Sequence, residues 1–444
     1  MSFPQNFLWG AATASFQIEG GADKRGECIW DVFCRTPGRV AFGHDGKTAC
    51  DHYHRFREDI AIMKELGLKV YRFSLSWGRI MDIERGVVRS DGVRFYNELI
   101  DELLKNGIEP YITLYHWDLP IELHRMGGWM SPELPKQFAM YTKKVMELFS
   151  DRVSHWFTLN EEHCFISVSY ANGEHAPGYK LSEEEVMLCA HHAHLAHGMA
   201  VQTIRQYAKK KPEIGIAVVG DIKIPASKSP IDVMIARKAM FAPCTPNYWG
   251  NAIWVDPIMT GSYSKEIHEV FEKADIKITD EEMKIIGTEI DCIGMNIYQG
   301  SYIGKKGCPP NKVGFEQTAI GWPITPEAMY WGPKFLYEKY KKPVYITENG
   351  MANTDLIFSD RCVHDPQRIE FTARYLRELK RACEDGVDIR GYFHWSLLDN
   401  FEWAEGYQKR FGLVYVDFET QERILKDSAM WYKEVIEKNG ENLG

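Results

Sequence analysis

VYITENG, Val344 to Gly350, is the stretch on which the fold turns. Val344, Tyr345, Ile346 and Thr347 are β-branched or aromatic, which suits a strand covered on both faces. Asn349 and Gly350 stop it, so Glu348 falls where a core strand breaks into a loop. Runs of the same kind recur along the chain: FLWGAATASFQI, LKVYRFSLSW, IEPYITLYHW, HWFTLNE, IGIAVVGDI, DCIGMNIY, PVYITE and IRGYFHWSLL. Helical patterns lie between them. One is a stripe of Val93, Tyr96, Leu99, Ile100, Leu103 and Leu104, with Asp91 as its expected cap and Gly107 as its end. Another opens at Asp365 and Pro366, carries Ile369, Ala373, Leu376 and Leu379, and closes at Gly386. Strands alternating with helices along one continuous chain, without a Ser/Gly/Pro linker, predict an α/β fold, a single (β/α)8 TIM barrel over 1–444. A doubly wound sheet fits less well, since no G-x-G-x-x-G follows the first strand.

Reactive groups of such a barrel belong at the C-terminal ends of its strands. Polar residues collect there: Gln17 after the first strand, Arg72 in the second, His116 after the third, and Asn160 and Glu161 after the fourth. Asn296 and Tyr298 follow the sixth, Glu348 the seventh, and Trp395 lies in the eighth. Strand five offers little of this kind. HWFTLNEE, 155–162, repeats the pattern of VYITENG, so two carboxylates, Glu161 and Glu348, are expected to face one mouth from opposite sides. Two carboxylates flanking a bond are what glycoside hydrolysis uses, and they need unlike pKa values. Arg72 is placed to keep one of them ionised while burial keeps the other protonated. The alternative is a pair of ordinary strand-end ion pairs.

Composition narrows the rest. The 53 basic and 62 acidic residues leave a net charge of −9, which argues against nucleic acid or an anionic membrane as partner. No apolar run reaches a membrane span, and MSFPQNFLWG lacks the pattern of a secretory signal, so a cytoplasmic location is expected. The ten cysteines, at 28, 34, 50, 164, 189, 244, 292, 308, 362 and 383, have no framework spacing and read as reduced thiols. Thirteen Trp supply flat faces of the kind that pack on sugar rings. HHAHLAH, 191–197, places histidines on one helix face but lacks a carboxylate or cysteine to complete a ligand set, so packed histidines are expected and not a metal. For Asp51, His52 and His54 helix capping is the simpler reading. SEEE at 182–185 and KKK at 209–211 read as solvated surface.

Through its whole length the chain resembles the family-one glycoside hydrolases, the β-glucosidase family. TLNE at 158–161 resembles that family's acid/base segment and ITENG at 346–350 its nucleophile segment. FLWGAATASFQIEG, YHWDLP at 115–120, GGW at 127–129 and WSLLDNFEWAEGY at 395–407 match its pattern as well. The resemblance implies a retaining barrel enzyme without cofactor or metal, with Glu161 as proton donor and Glu348 as nucleophile. Its partner would be a small β-glycoside, with neither nucleic acid nor membrane, and assembly as a homo-oligomer stays open. Gln17, His116, Trp117, Asn160, Glu402 and Trp403 would bind the non-reducing sugar over Trp395, Tyr298 would lie against the nucleophile, and Asn296 and Arg72 would support the pocket.

One departure concerns the residues after the acid/base. The family usually has proline there, and this chain has Glu162, then His163 and Cys164. Glu162 either turns into a loop salt bridge or raises the pKa of Glu161 by like charge. Rival readings are a 6-phospho-β-glycosidase, a galactose or fucose preference, a non-catalytic sugar-binding barrel and a metal-dependent barrel hydrolase. Against phosphate, Glu402 stands where phospho-specific relatives are expected to carry a small hydroxyl residue. Lys409 is present downstream, but Phe411 replaces the expected tyrosine.

Overall fold

The strands predicted from sequence pair in chain order and close on themselves. The computed structural model describes residues 2–243 and 248–443. Its barrel consists of β1 (Leu8–Ala12), β2 (Val70–Ser74), β3 (Glu109–Tyr115), β4 (His155–Asn160), β5 (Glu213–Val219), β6 (Cys292–Asn296), β7 (Val344–Asn349) and β8 (Ile389–Trp395). All are parallel, and β8 returns to β1. The first run is a strand only as far as Ala12; Ser15–Ile18 is a helical turn, and Gln17 sits on it above the rim.

The barrel is filled by its own side chains. Val70, Tyr111, Phe157, Cys292, Tyr345 and Phe393 form the inner core, distinct from the larger apolar shell between strands and helices. Small residues make room for the rings. A Cβ on Gly294 of β6 would lie 2.6 Å from the Thr347 side chain and 3.0 Å from the Phe157 ring, so the bulk of one strand dictates the smallness of the next.

The two strands that carry the carboxylates break their register near their ends. In β7 the pairing to both neighbours shifts after Ile346. Thr347 points inward, bonding Asn296, and simple alternation would send Glu348 outward; the irregularity turns it in. In β4 the shift falls between Phe157 and Asn160, so Phe157 and Asn160 both face the interior although three positions separate them.

The helices form the outer layer. Ser90–Lys105 buries Phe95, Tyr96, Leu99, Ile100 and Leu103, and the chain leaves it through Gly107 at φ +73°, a conformation that costs glycine little. Asp91 is not its cap. It lies within the first turn, paired to Arg94 at 2.8 Å, where its charge still opposes the helix dipole. Asp365 and Pro366 open Pro366–Glu384 as expected. At Ser182 the polar run is more than solvated surface, because Ser182 and Glu185 form a reciprocal capping box for Glu183–Tyr207. Asp51 occupies the cap position of His52–Glu65 but makes no side-chain cap bond; its carboxylate goes to His54 at 2.6 Å. The histidines of 191–197 are core residues. His191 and His194 each lie 3.0 Å from the Tyr263 hydroxyl, His192 meets the Trp129 carbonyl, and His197 meets Thr158. Among the described residues no group of three or more His, Cys, Asp or Glu is arranged to hold a metal. The nine described cysteines are unpaired, and Cys244 lies outside the described residues. No described helix is long and apolar enough to cross a membrane.

Candidate active site

A cavity of about 900 Å³ opens at the C-terminal mouth of the barrel. His116, Trp117, Asn160, Glu161, Asn296, Tyr298, Glu348, Trp395, Glu402 and Trp403 all line it. Gln17 and Arg72 lie immediately behind, touching residues that do.

Arg72 organises the floor. It sits over the Phe157 ring and is 1 % exposed, so its charge has no water to answer it. Nη1 donates to Glu348 Oε1 at 2.6 Å and to the Thr347 carbonyl, Nη2 donates to Asn160 Oδ1 at 2.6 Å, and Nε donates to Thr113. The other oxygen of Glu348 accepts from the Tyr298 hydroxyl at 2.7 Å. The nucleophile candidate is therefore gripped at both oxygens. Glu161 has a different neighbourhood. Asn296 Nδ2 donates to its Oε1 at 2.6 Å, and the orientation of that amide is fixed because Asn296 Oδ1 accepts from Thr347 at 2.6 Å.

Burial pushes Glu161 up to about 7, helped by the charge of Glu348 and opposed by bonds to Cys164 and Asn296 and by Arg72. Burial also raises Glu348, but there the Arg72 guanidinium in contact, then Tyr298, favour the ionised form. Two like groups thus stand in unlike settings, one holding its proton near neutrality and one with a counter-charge against it.

The polar wall continues outward. With Asn160 Oδ1 already accepting from Arg72 and Asn296, its amide nitrogen faces His116 Nε2 at 3.2 Å. Burial, then Arg72, drive His116 well below its ordinary range, so it is neutral. Its Nδ1 and Oε1 of Gln17 are buried polar atoms without a partner among the described residues. Gln17 Nε2 donates to Asn400 Oδ1 and the Phe401 carbonyl, and reaches Glu402 Oε2 at 3.5 Å. Glu402 itself is pushed well up, by burial first and then by Glu348 and Glu161. Trp395 and Trp403 each lie about parallel to the His116 ring, at 6.0 and 6.1 Å. Trp117, Glu161 and Trp403 hold left-handed φ of 77°, 54° and 51°. Such strain costs of order 1–3 kcal/mol per residue and persists only where surrounding contacts impose it.

The expected loop salt bridge of Glu162 does not form. Glu162 is fully buried, neither oxygen has a partner among the described residues, and burial raises it to about 8. The chain turns inward after Glu161, and His163 beside it is equally enclosed, packed against Trp254 at 5.2 Å. Sequence reasoning also missed part of the cavity wall. Gly220 and Asp221, just past β5, line it, and so do Cys164, Trp249 and Trp322. GD after IGIAVV follows the same strand-end rule that exposed the other positions. Trp322, on a long loop before the helix Ala328–Tyr340, carried no such signal. Lys409 points to the Ala319 carbonyl at 2.8 Å and does not line the cavity.

An eight-stranded barrel with two enclosed carboxyls of unlike ionisation, over a pocket of hydrogen-bonding groups and indole faces, defines a glycoside hydrolase. The sequence matches Glycosyl hydrolase family 1 over residues 1–441, and the chain belongs to that family. It is 43 % identical to "Beta-glucosidase A" of Thermotoga maritima over 446 residues, 99 % of this chain and 98 % of that protein. A second relative, "1,4-beta-D-glucan glucohydrolase" of Thermotoga neapolitana, is 43 % identical over 449 residues, 99 % of each. The solved Thermotoga maritima β-glucosidase in complex with glucoimidazole superposes with a TM-score of 0.89 at 42 % identity, covering 99 % of both chains.

Proposed function

We propose that this chain is a retaining β-glucosidase, a single catalytic domain that releases terminal β-D-glucosyl residues from short oligosaccharides and aryl glucosides in the cytoplasm. The observation that carries the reading is the asymmetric pair: Glu348 clamped by Arg72 and Tyr298, and Glu161 raised to about 7 without a cation in contact. Glu161 gives its proton to the glycosidic oxygen as Glu348 attacks the anomeric carbon, forming a glycosyl ester. Ester formation removes the negative charge of Glu348, one of the causes that hold Glu161 up. Glu161 then ionises more readily and serves as base for the incoming water. Gln17, His116, Asn160 and Glu402 take the sugar hydroxyls, which would satisfy the unpartnered Gln17 Oε1 and His116 Nδ1. Trp395 and Trp403 supply the apolar faces.

Glucose is favoured over a 6-phosphosugar because Glu402 offers oxygens for neutral hydroxyls, while among the described residues no lysine or arginine lines the cavity to answer a phosphate. Turnover of a panel of aryl β-glycosides tests the assignment. The glucoside is expected to lead in kcat/KM, and a higher value for the galactoside, fucoside or 6-phosphoglucoside would replace it.

A further inference from the structure

Behind the sugar pocket lies a buried ionic network that the chemistry above leaves unused. Asp355 stands on the loop that follows Glu348, and Asp399 on the segment that carries Asn400, Glu402 and Trp403. Lys426, which precedes the last helix (Asp427–Glu437), bridges them: Nζ donates to Asp355 Oδ2 at 2.5 Å and to Asp399 Oδ1 at 2.7 Å. All three side chains are fully buried.

The bridge is braced from both sides. Arg368, from the helix Pro366–Glu384, donates to Asp355 at 2.7 Å, pairs with Asp365, and reaches the Arg410 carbonyl at 2.8 Å. Arg410 Nη1 donates to Asp399 Oδ2 at 2.7 Å, while its backbone exchanges bonds with Asn353. Asp399 Oδ1 also accepts from the Gly412 amide, next to Phe411 of the cavity wall. Three carboxylates meet three cations, so no net charge is buried. An apolar cluster of equal volume is often as stable as such a set of ions, so stability alone does not call for this one. Buried polar and ionic groups fix register in some proteins, and here the ions join two loops of the site.

We propose that Lys426 is a positioning residue that locks the nucleophile loop to the sugar-binding loop. Contacts made at the far hydroxyls through Glu402 are thereby transmitted to the position of Glu348 at the anomeric carbon. The inference rests on the assignment of Glu348 and Glu402 given above, and it adds a residue that touches no substrate. Binding energy from remote groups accelerates a reaction only if the site holds them in fixed relation to the reacting atoms.

A double-mutant cycle on an aryl β-glucoside tests it, with Lys426→Met, Glu402→Ala and both together. Lys426→Met is expected to lower kcat about tenfold in protein that stays folded by circular dichroism, with a smaller change in KM. Glu402→Ala is then expected to cost about tenfold less in the Lys426→Met background than in the wild type. Additive losses within about twofold, or a lowered melting temperature with unchanged kinetics, would overturn the proposal. Should Lys426→Met not fold, Asp355→Asn removes one arm of the bridge with nearly the same shape. It carries the same cycle and the same criteria. Glu402→Ala without effect in the wild type would overturn the sugar-site assignment and the proposal with it, whereas a costly Glu402→Ala with additive behaviour overturns the role of Lys426 alone.

Discussion

Replacing Arg72 with methionine removes the one cation in contact with Glu348 among the described residues and leaves a shorter, apolar chain. It also strips one of the two donors from Asn160 Oδ1 and the Arg72 donor from Thr113 Oγ1. Breaking a buried pair from one side costs about 3–5 kcal/mol if the remaining charge stays ionised. Glu348 escapes most of that cost by taking up a proton. At 1.36 kcal/mol per pH unit, the relief corresponds to an upward shift of about two units or more. The sign follows from the cause: Arg72 favours the ionised carboxylate, so its loss raises the pKa of Glu348 further above the ordinary range. The productive state needs Glu348 ionised and Glu161 protonated, and Glu161 stands at about 7. Arg72 bears on Glu348 by contact and on Glu161 only at a distance, so its loss raises Glu348 the more, and the microstate with Glu348 ionised and Glu161 protonated becomes rarer. The profile of kcat/KM against pH for an aryl β-glucoside should show the acidic limb moved to higher pH by about two units and the maximum lowered. An unmoved acidic limb with near-normal activity would refute the electrostatic role of Arg72 and leave it a packing residue.

Glu162→Pro restores the family's usual residue and removes a buried carboxyl that stands at about 8. Glu161 titrates first, at about 7, while Glu162 still holds its proton, so the basic limb of the same profile should stay in place; a limb moved to lower pH would show Glu162 carrying charge as Glu161 ionises. Glu161→Ala should slow aryl glucosides with poor leaving groups at least a hundredfold more than activated ones, because only the former require full protonation. Equal losses in a leaving-group series would count against Glu161 as donor. For the 6-phosphate of an aryl glucoside, kcat/KM should fall by at least about two orders of magnitude, roughly 3 kcal/mol, because the cavity beside Glu402 offers a phosphate no lysine or arginine among the described residues. Comparable values in a direct competition assay would remove that argument.

The barrel was legible because each strand is a short apolar run and most are followed by a polar residue near the C-terminal end, a rule that needs no tertiary information. Arg72 could be placed near the carboxylate pair from strand position alone, and the structure shows which of the two it meets, Glu348. The inward turn of Glu348 was not legible in that way. Alternation after Thr347 points it outward, and only the register break seen in the paired strands turns it in. Glu162 misled for a related reason: a charged residue after a strand end reads as solvated, whereas here the chain re-enters the protein and encloses it. Trp322 and the Lys426 bridge lie far in sequence from the residues they serve, and neither carries a local pattern. Asp91 shows the smaller error of boundary, a first-turn acid taken for a cap.

The central claim is that Glu348 attacks the anomeric carbon while Glu161 donates the proton, and the configuration of the first product tests it most directly. Proton NMR of the earliest phase of aryl β-glucoside hydrolysis, before mutarotation, should show β-glucose appearing first and the α-anomer only later. α-Glucose as the initial product would require water to attack opposite the leaving group in a single step, and would contradict the assignment of Glu348 as nucleophile.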